Sequence, residues 1–306
     1  MKNKLLWTIL AFLSAGTYSF GSPTSDTTII KSHLTALTKS AQFRNYKNIE
    51  ALNKTADYIK EVFSRYSNDV YFQEYTVKGQ VYKNVIASFG MQNTTRIIVG
   101  AHYDVFSDQQ GADDNASGVT GLLEIARMLN GKVPDKRIDL VAYTLEEPPY
   151  FRTEYMGIYI HAKSLAEQNI EVLGMVSLEM IGYFNDQKHS QSYPAPLLSL
   201  VYGNKGNYIT LVKKLRAGKF TKRFCRKYKA ANTIKTKKFS GPKALPGIDF
   251  SDHLNYWEFG FSALMITDTS FYRNNNYHEI TDTMESLDLN RMAKVIDGVL
   301  ITLLNF

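Results

Sequence analysis

The sequence predicts an α/β fold, a three-layer α/β/α sandwich with a mostly parallel central sheet, and three observations carry that prediction. Apolar runs of strand length alternate with stretches of helical periodicity along most of the chain. One run, TRIIVGAHYD (residues 95–104), is continuously apolar before its polar end, as a strand buried on both faces must be. Residues able to bind a metal or move a proton also follow several separate apolar runs, and open α/β sheets build their sites at such strand ends.

The elements follow in order. Residues 27–39 and 48–67 place apolar side chains at helical spacing, with Leu52, Ala56, Ile59, Val62 and Phe63 on one face of the second. DVYFQEYTV and YKNVIASF alternate in polarity around Gly79 and read as an antiparallel strand pair. After TRIIVGAHYD come a helix over 115–129, the strand RIDLVAYTL, a helix over 156–167 and the strand EVLGMVSLE. A helix around residues 208–215, the strand FSALMITD and a terminal helix from Ser286 complete the reading.

With 306 residues and 44% hydrophobic content, the chain can bury one sizeable core. Residues 1–22 stand apart. Lys2 and Lys4 precede the apolar LLWTILAFLSAG, and small or polar residues then lead to Pro23. That is the pattern of a secretory signal peptide, too short to span a bilayer comfortably. The expectation is cleavage between Gly16 and Pro23, a single domain over 23–306, and a periplasmic or secreted protein. No cysteine stands directly after the apolar stretch, so a lipoprotein anchor is not expected; a retained anchor is the alternative to cleavage, and no stable membrane anchor is the expectation. Cys225 is the sole cysteine; it cannot form an internal disulfide and reads as a packing residue. The net charge of +7 falls to +5 without Lys2 and Lys4. Much of the positive charge lies over residues 213–243, where Phe and Tyr are mixed with Lys and Arg. This run reads as a solvated loop and helix face and not as a nucleic-acid site, with adsorption to an acidic envelope surface as the other reading.

The chemistry gathers around GAHYDVFSDQQGADDNASG, which holds His102, Asp104, Asp113 and Asp114. Glu146 and Glu147 end the next strand, Glu179 ends another, and His278 follows FSALMITD. Zinc takes imidazole nitrogen and carboxylate oxygen, and two cations held ~3.5–4 Å apart need a carboxylate between them. Asp114, at the mouth of the loop near the start of the helix, is the candidate bridge, and Asp113 the alternative, otherwise a helix-cap or loop residue. One metal is then expected on His102, Asp114 and Glu179, the other on Asp114, Glu147 and His278. Asp104 is placed to accept the second N–H of His102, and Glu146 to act as general base toward the attacking water.

GAHYD…GADDNASG…LEEPPYF…LEMIGYF…SDH…NYHEITDT resembles metallopeptidase family 28, of the aminopeptidase Y and bacterial leucyl aminopeptidase type, from about Arg44 to Leu303. The resemblance implies a phosphorylase/hydrolase-like sandwich, two zinc ions and removal of N-terminal residues from peptide substrates. It places the family's histidine ligands on His102 and His278, its orienting aspartate on Asp104 and its bridge on Asp114. The base falls on Glu146 and a further ligand on Glu147. Glu179 stands where many members have aspartate, which leaves metal preference and exopeptidase type open. Glutaminyl-peptide cyclotransferases share the fold with one zinc; DNASGV after the bridge speaks against them. A non-catalytic ectodomain would be expected to lose ligands that are all present here.

Other candidates receive plainer readings. His253, beside Asp252, is a structural capping residue at the site rim, and His33, His161 and His189 are surface or helix residues. Glu154 and Glu167 are solvated. The aromatics of PPYFRTEYMG are expected to wall the cleft, and Tyr272, Arg273 or Tyr277 to offer a donor to an oxyanion.

Overall fold

Two helices lead into the sheet: α1 (Thr27–Thr38) and α2 (Ile49–Ser64). Asp26 caps the first by accepting from the N–H groups of Thr28 and Ile29, and Asn48 caps the second through Ala51. The structure, a computed structural model, describes residues 24–242 and 245–306; the signal peptide expected over 1–22 lies outside them. The elements that follow are β1 (Asp69–Val77), β2 (Gln80–Phe89), β3 (Arg96–His102), α3 (Gly118–Leu129), β4 (Arg137–Tyr143) and α4 (Gly157–Glu167). Then come β5 (Val172–Glu179), α5 (Leu198–Tyr202), β6 (Ile209–Lys214), α6 (Gly218–Ala231), β7 (Thr236–Gly241), α7 (His253–Glu258), β8 (Ala263–Thr267) and α8 (Leu289–Leu304).

All eight strands form one sheet in the order β1-β2-β4-β3-β5-β8-β6-β7. The central four run parallel, with His102 opposite Tyr143 and Glu179 opposite Thr267, so their carboxyl ends share one edge. The hairpin β1-β2 joins antiparallel at one side, and the parallel pair β6-β7 joins antiparallel at the other. Helices cover both faces. Phe63, Leu122, Leu123, Phe224, Val295 and Ile296 fill the core beneath α1, α2, α3, α6 and α8, while Ile158, Leu165, Tyr256 and Trp257 fill the core beneath α4 and α7. Each such side chain contributes roughly 1.5–3 kcal/mol by leaving water.

The helix expected around residues 208–215 is a strand. Ile209, Thr210, Leu211 and Val212 are buried and pair with β7, and the last three pair with β8 as well; β-branched residues fit that pleated setting better than a helix turn. The helical pattern begins only at Gly218. The neighbouring β7 was not anticipated, because its Lys237 and Lys238 break the apolar signal. Lysines suit an edge strand, where they discourage pairing with another chain. Among the described residues, no helix is long and apolar enough to cross a membrane.

Two glycines set the approach to the shared edge. A Cβ on Gly100, in β3, would lie 2.2 Å from the ring of Tyr143. One on Gly118 would lie 2.4 Å from both the Leu178 carbonyl oxygen and Asn115 Oδ1. The turn carrying Asp113 and Asp114 can therefore press against the end of β5 only because Gly118 lacks a side chain, and the Tyr143 ring can lie against β3 only because Gly100 does.

Candidate metal centre

His102 ends β3 and is 1% exposed. Its Nε2 faces Asp114 Oδ1 at 3.3 Å and Glu179 Oε1 at 3.5 Å. His278 Nε2 faces the other oxygen of Asp114 at 3.3 Å and Glu147 Oε2 at 3.2 Å. The five residues thus sort into two triads that share Asp114, each with one imidazole and one glutamate of its own. Ligand atoms of His102, Asp114 and Glu147 also lie within 4.8 Å of one another, so the triads are contiguous.

Each member is held from behind. Asp282 accepts from the N–H groups of Asp113 and Asp114 at 2.9 and 3.0 Å, fixing the turn in which Asp114 leaves helical geometry. Asp113 turns away: its carboxylate accepts from Gly182 N–H and Asn274 Nδ2, which makes it a loop residue and leaves Asp114 alone at the centre. Asp104 accepts from the N–H groups of Glu146 and Glu147 at 3.1 Å each, and its backbone oxygen lies 3.2 Å from His102 Nδ1. The carboxylate sits 3.6 Å from that nitrogen, so its closer contact with the imidazole is through the carbonyl and its main work is to anchor the glutamates. Ser251 donates to Glu179 Oε2 at 2.6 Å and leaves Oε1 toward His102. His278 is sandwiched between the rings of Phe106 and Tyr277, 4.2 and 3.8 Å away.

The backbone bends at the same places. Leu145, Met180 and His278, which precede, follow or belong to the centre, all have φ between 50° and 60°. Non-glycine residues bear a steric cost there, and such positions cluster at functional sites.

Carboxylates crowd this pocket, and the cationic groups that face them among the described residues are the imidazoles of His102 and His278. Glu146, 7% exposed, brings Oε2 within 4.0 Å of His102 Nε2. Burial, with Glu147 and Glu179 adding repulsion, pushes its carboxyl well above the usual range. Burial and the Asp114 carboxylate raise Glu147 to about 7. Burial opposes a charge on His102, but the facing Glu179 and Glu146 carboxylates outweigh it and hold the imidazolium well above its ordinary value. Burial likewise opposes the charge on His278, and Asp114 and Glu147 overcome it, to about 10. Asp114 moves the other way, because the two imidazoles outweigh its burial. Asp114 Oδ2, Glu147 Oε1 and His278 Nε2 are buried without a hydrogen-bond partner. Two imidazoles and three carboxylates with unused lone pairs suit zinc, and divalent cations would offset the crowded negative charge.

A cleft of about 1110 Å³, counting its open mouth, lies over the centre and is reached by Asp114, Glu146, Glu147, Glu179 and His278. Nine Phe and Tyr residues line it, including Phe151, Phe250, Phe271 and Tyr277, and among the described residues no lysine or arginine does. From PPYFRTEYMG only Pro148 and Phe151 reach the wall; Tyr150 packs in the core. Of the three donor candidates Tyr272 and Tyr277 line the cleft. Arg273 instead points behind it to Gln191 and the Tyr183 carbonyl.

The remaining histidines separate cleanly. His253 begins α7, bonds the Ile248 carbonyl at 2.7 Å and packs on Trp257. His33 and His161 are helix residues, as expected, but buried ones, bonded to Tyr58 and Tyr256. His189 is exposed, as are Glu154 and Glu167. Cys225 is buried in α6 and its thiol is pushed up to about 11 by burial, the state of a packing residue. Asp282 lies within NYHEITDT and Ser251 opens SDH, but neither position nor Asn274 carries a spacing of its own that marks it as a support.

Comparison with known proteins follows the same line. A model of peptidase family M28 matches residues 84–303. The uncharacterized protein YfbL of Escherichia coli (strain K12) is 43% identical over 277 residues, covering 88% of this chain and 85% of that one. A probable leucine aminopeptidase of Arthroderma otae is 26% identical over 70% of this chain, which spans only 55% of that protein. Among solved structures, a leucine aminopeptidase precursor from Bacteroides thetaiotaomicron aligns with a TM-score of 0.69 at 19% identity, covering 93% of this chain and 99% of that one. The Tannerella forsythia glutaminyl cyclase aligns with 0.66 at 22% identity, over 93% and 100%.

Proposed function

The chain belongs to peptidase family M28, and on that premise we propose that it is a zinc-dependent aminopeptidase releasing apolar residues from the N-termini of peptides. The observation that carries the reading is Asp114 standing between two histidines, 3.3 Å from each, with Glu179 and Glu147 completing the two triads. His102, Asp114 and Glu179 would hold one zinc ion, and Asp114, Glu147 and His278 the other. Bound there, zinc polarises the scissile carbonyl and acidifies water.

The chain's own residues do the rest. Glu146 takes the proton of the attacking water and passes it to the leaving amine. Its buried, carboxylate-crowded setting raises its proton affinity, which suits both halves of that transfer. Asp104 holds Glu146 and Glu147 by their backbone N–H groups, so base and ligand keep a fixed relation. Tyr277, stacked on His278 at the cleft wall, is the donor assigned to the oxyanion in this reading. Aromatic side chains along the cleft, with no lysine or arginine among its described lining residues, favour an apolar side chain beside the scissile bond. The reading also takes residues 23–306 as one catalytic domain, exported behind a leader over 1–22.

The test is a panel of unblocked and N-acetylated aminoacyl amides, with a glutaminyl peptide, a chelator control and zinc add-back. Zinc-restored cleavage of unblocked apolar substrates alone is expected. Pyroglutamate formation without amide cleavage would instead assign the site to glutaminyl cyclisation, the reaction named for the Tannerella forsythia neighbour.

A further inference from the structure

The basic run is wider in the folded chain than its densest part suggests. From Lys188 to Ile248 the sequence has 15 Lys and Arg and no Asp or Glu, so the remainder of the chain carries a net −8 against the total of +7. Part of this charge has a structural use on the outer face of α6 and along the edge strand β7. Another part surrounds an unusual apolar tip. On the segment entering and forming α5, Leu197, Leu200 and Val201 are 75%, 82% and 77% exposed, among the most exposed large apolar side chains of the described residues.

That tip is fixed relative to the lysines and to the cleft. Tyr202, the last residue of α5, donates to the Lys238 carbonyl at 3.1 Å and packs its ring against Phe239. Lys237 Nζ lies 5.9 Å from the Tyr202 ring, Lys205 follows three residues later, and Lys235 is tied to Asn207 at 3.0 Å. Tyr202 and Tyr193 also line the cleft, so the tip sits at its rim. The acidic neighbour on this side, Asp186, is paired with Arg291.

We propose that the Leu197, Leu200 and Val201 tip and its rim of Lys205, Lys235 and Lys238 form a docking surface for an anionic lipid bilayer, with the cleft mouth beside the membrane. Aliphatic side chains at a protruding end enter the boundary between headgroups and acyl chains, while the exposed lysines of the same region meet anionic headgroups. The charge complementarity selects this occupant over others. A second copy of the chain would bring two cationic rims together. A nucleic acid would call for aromatic platforms, whereas Tyr202 turns into the cleft and the exposed groups are aliphatic. The inference is independent of which peptide bond the centre cleaves.

The test is co-sedimentation of the full chain with phosphatidylcholine vesicles, with and without phosphatidylglycerol, across a salt series. Three proteins are compared: wild type, Leu200→Ser with Val201→Ser, and Lys235→Glu with Lys238→Glu. The apolar leader is common to all three and drops out of the difference. Wild type is expected to bind phosphatidylglycerol vesicles preferentially and to weaken with salt. Each double variant should lose at least roughly tenfold in binding while its zinc content and turnover of a soluble aminoacyl amide stay at wild-type level. Binding that ignores phosphatidylglycerol, or that neither variant weakens, would overturn the proposal. So would loss in the lysine variant alone, retention on DNA but not on vesicles, or a dimer in light scattering that the Leu200 and Val201 changes dissolve.

Discussion

His102 and His161 are buried to nearly the same depth, 1% and 4% exposed, yet their environments drive them in opposite directions. His102 faces carboxylates, which overcome burial and hold its proton well above the ordinary value. His161, on the buried face of α4 beside Tyr143 and Tyr256, is lowered to about 4, chiefly by burial. His253, bonded to a carbonyl and packed on Trp257, is likewise lowered to about 4. Burial by itself therefore does not identify a metal-binding histidine. What separates the two groups is whether carboxylate oxygens converge on the ring nitrogen, and that convergence is the property a cation exploits.

The sharpest way to break the comparison is at the carboxylate edge. Glu146→Gln keeps the shape of the side chain and removes its basicity, so turnover should fall by on the order of 10²–10⁴ while zinc content is retained. Steady-state kinetics beside metal analysis checks this, and wild-type kcat in the variant would remove Glu146 from the base role. Glu147→Ala, by contrast, deletes a ligand and should lower zinc content itself, read by the same metal analysis after dialysis. One step further back, Asp282→Asn replaces one of the two acceptors that hold the Asp113 and Asp114 N–H groups. It should weaken zinc binding by roughly 10–100-fold with little change in melting temperature of the zinc-loaded protein. Zinc competition titration with a chromogenic chelator gives the number.

The packing histidines supply a smaller effect of definite sign. Their folded values of about 4 lie below the unfolded 6.5, so the unfolded chain takes up protons first as pH falls. Stability is intact above pH 6.5 and is lost progressively toward pH 4, by about 3 kcal/mol for each of His161 and His253. Urea midpoints measured across that window should show the loss. In His161→Gln the dependence should be shallower by about half the contribution of the pair, with catalysis kept. An unchanged slope would mean that His161 is not held neutral.

The difference between the two histidine groups was partly legible in the sequence. His102 and His278 stand in motifs with Asp, and Glu146, Glu147 and Glu179 end apolar runs, so strand-end logic brought all five to one edge. The burial of His33 and His161 was not legible, because a helical histidine with no carboxylate motif reads equally well as exposed. The supports Asp282, Asn274 and Ser251 were missed for a related reason: their contacts span more than 70 residues of sequence and leave no local spacing. Arg273 was misplaced because its nearness to His278 in sequence does not reveal that its side chain turns behind the cleft. In the fold, β3, β4, β5 and β8 announced themselves as apolar runs. β6 did not, because six residues ending in two lysines are too short to separate a strand from a helix turn.

The measurement that bears most directly on the central claim is zinc stoichiometry titrated against turnover on an unblocked aminoacyl amide. Two ions per chain, with activity appearing as they bind and Glu146→Gln binding both without activity, is the predicted result. Full turnover in the metal-free chain, or two ions still bound when both His102 and His278 are replaced by alanine, would contradict it.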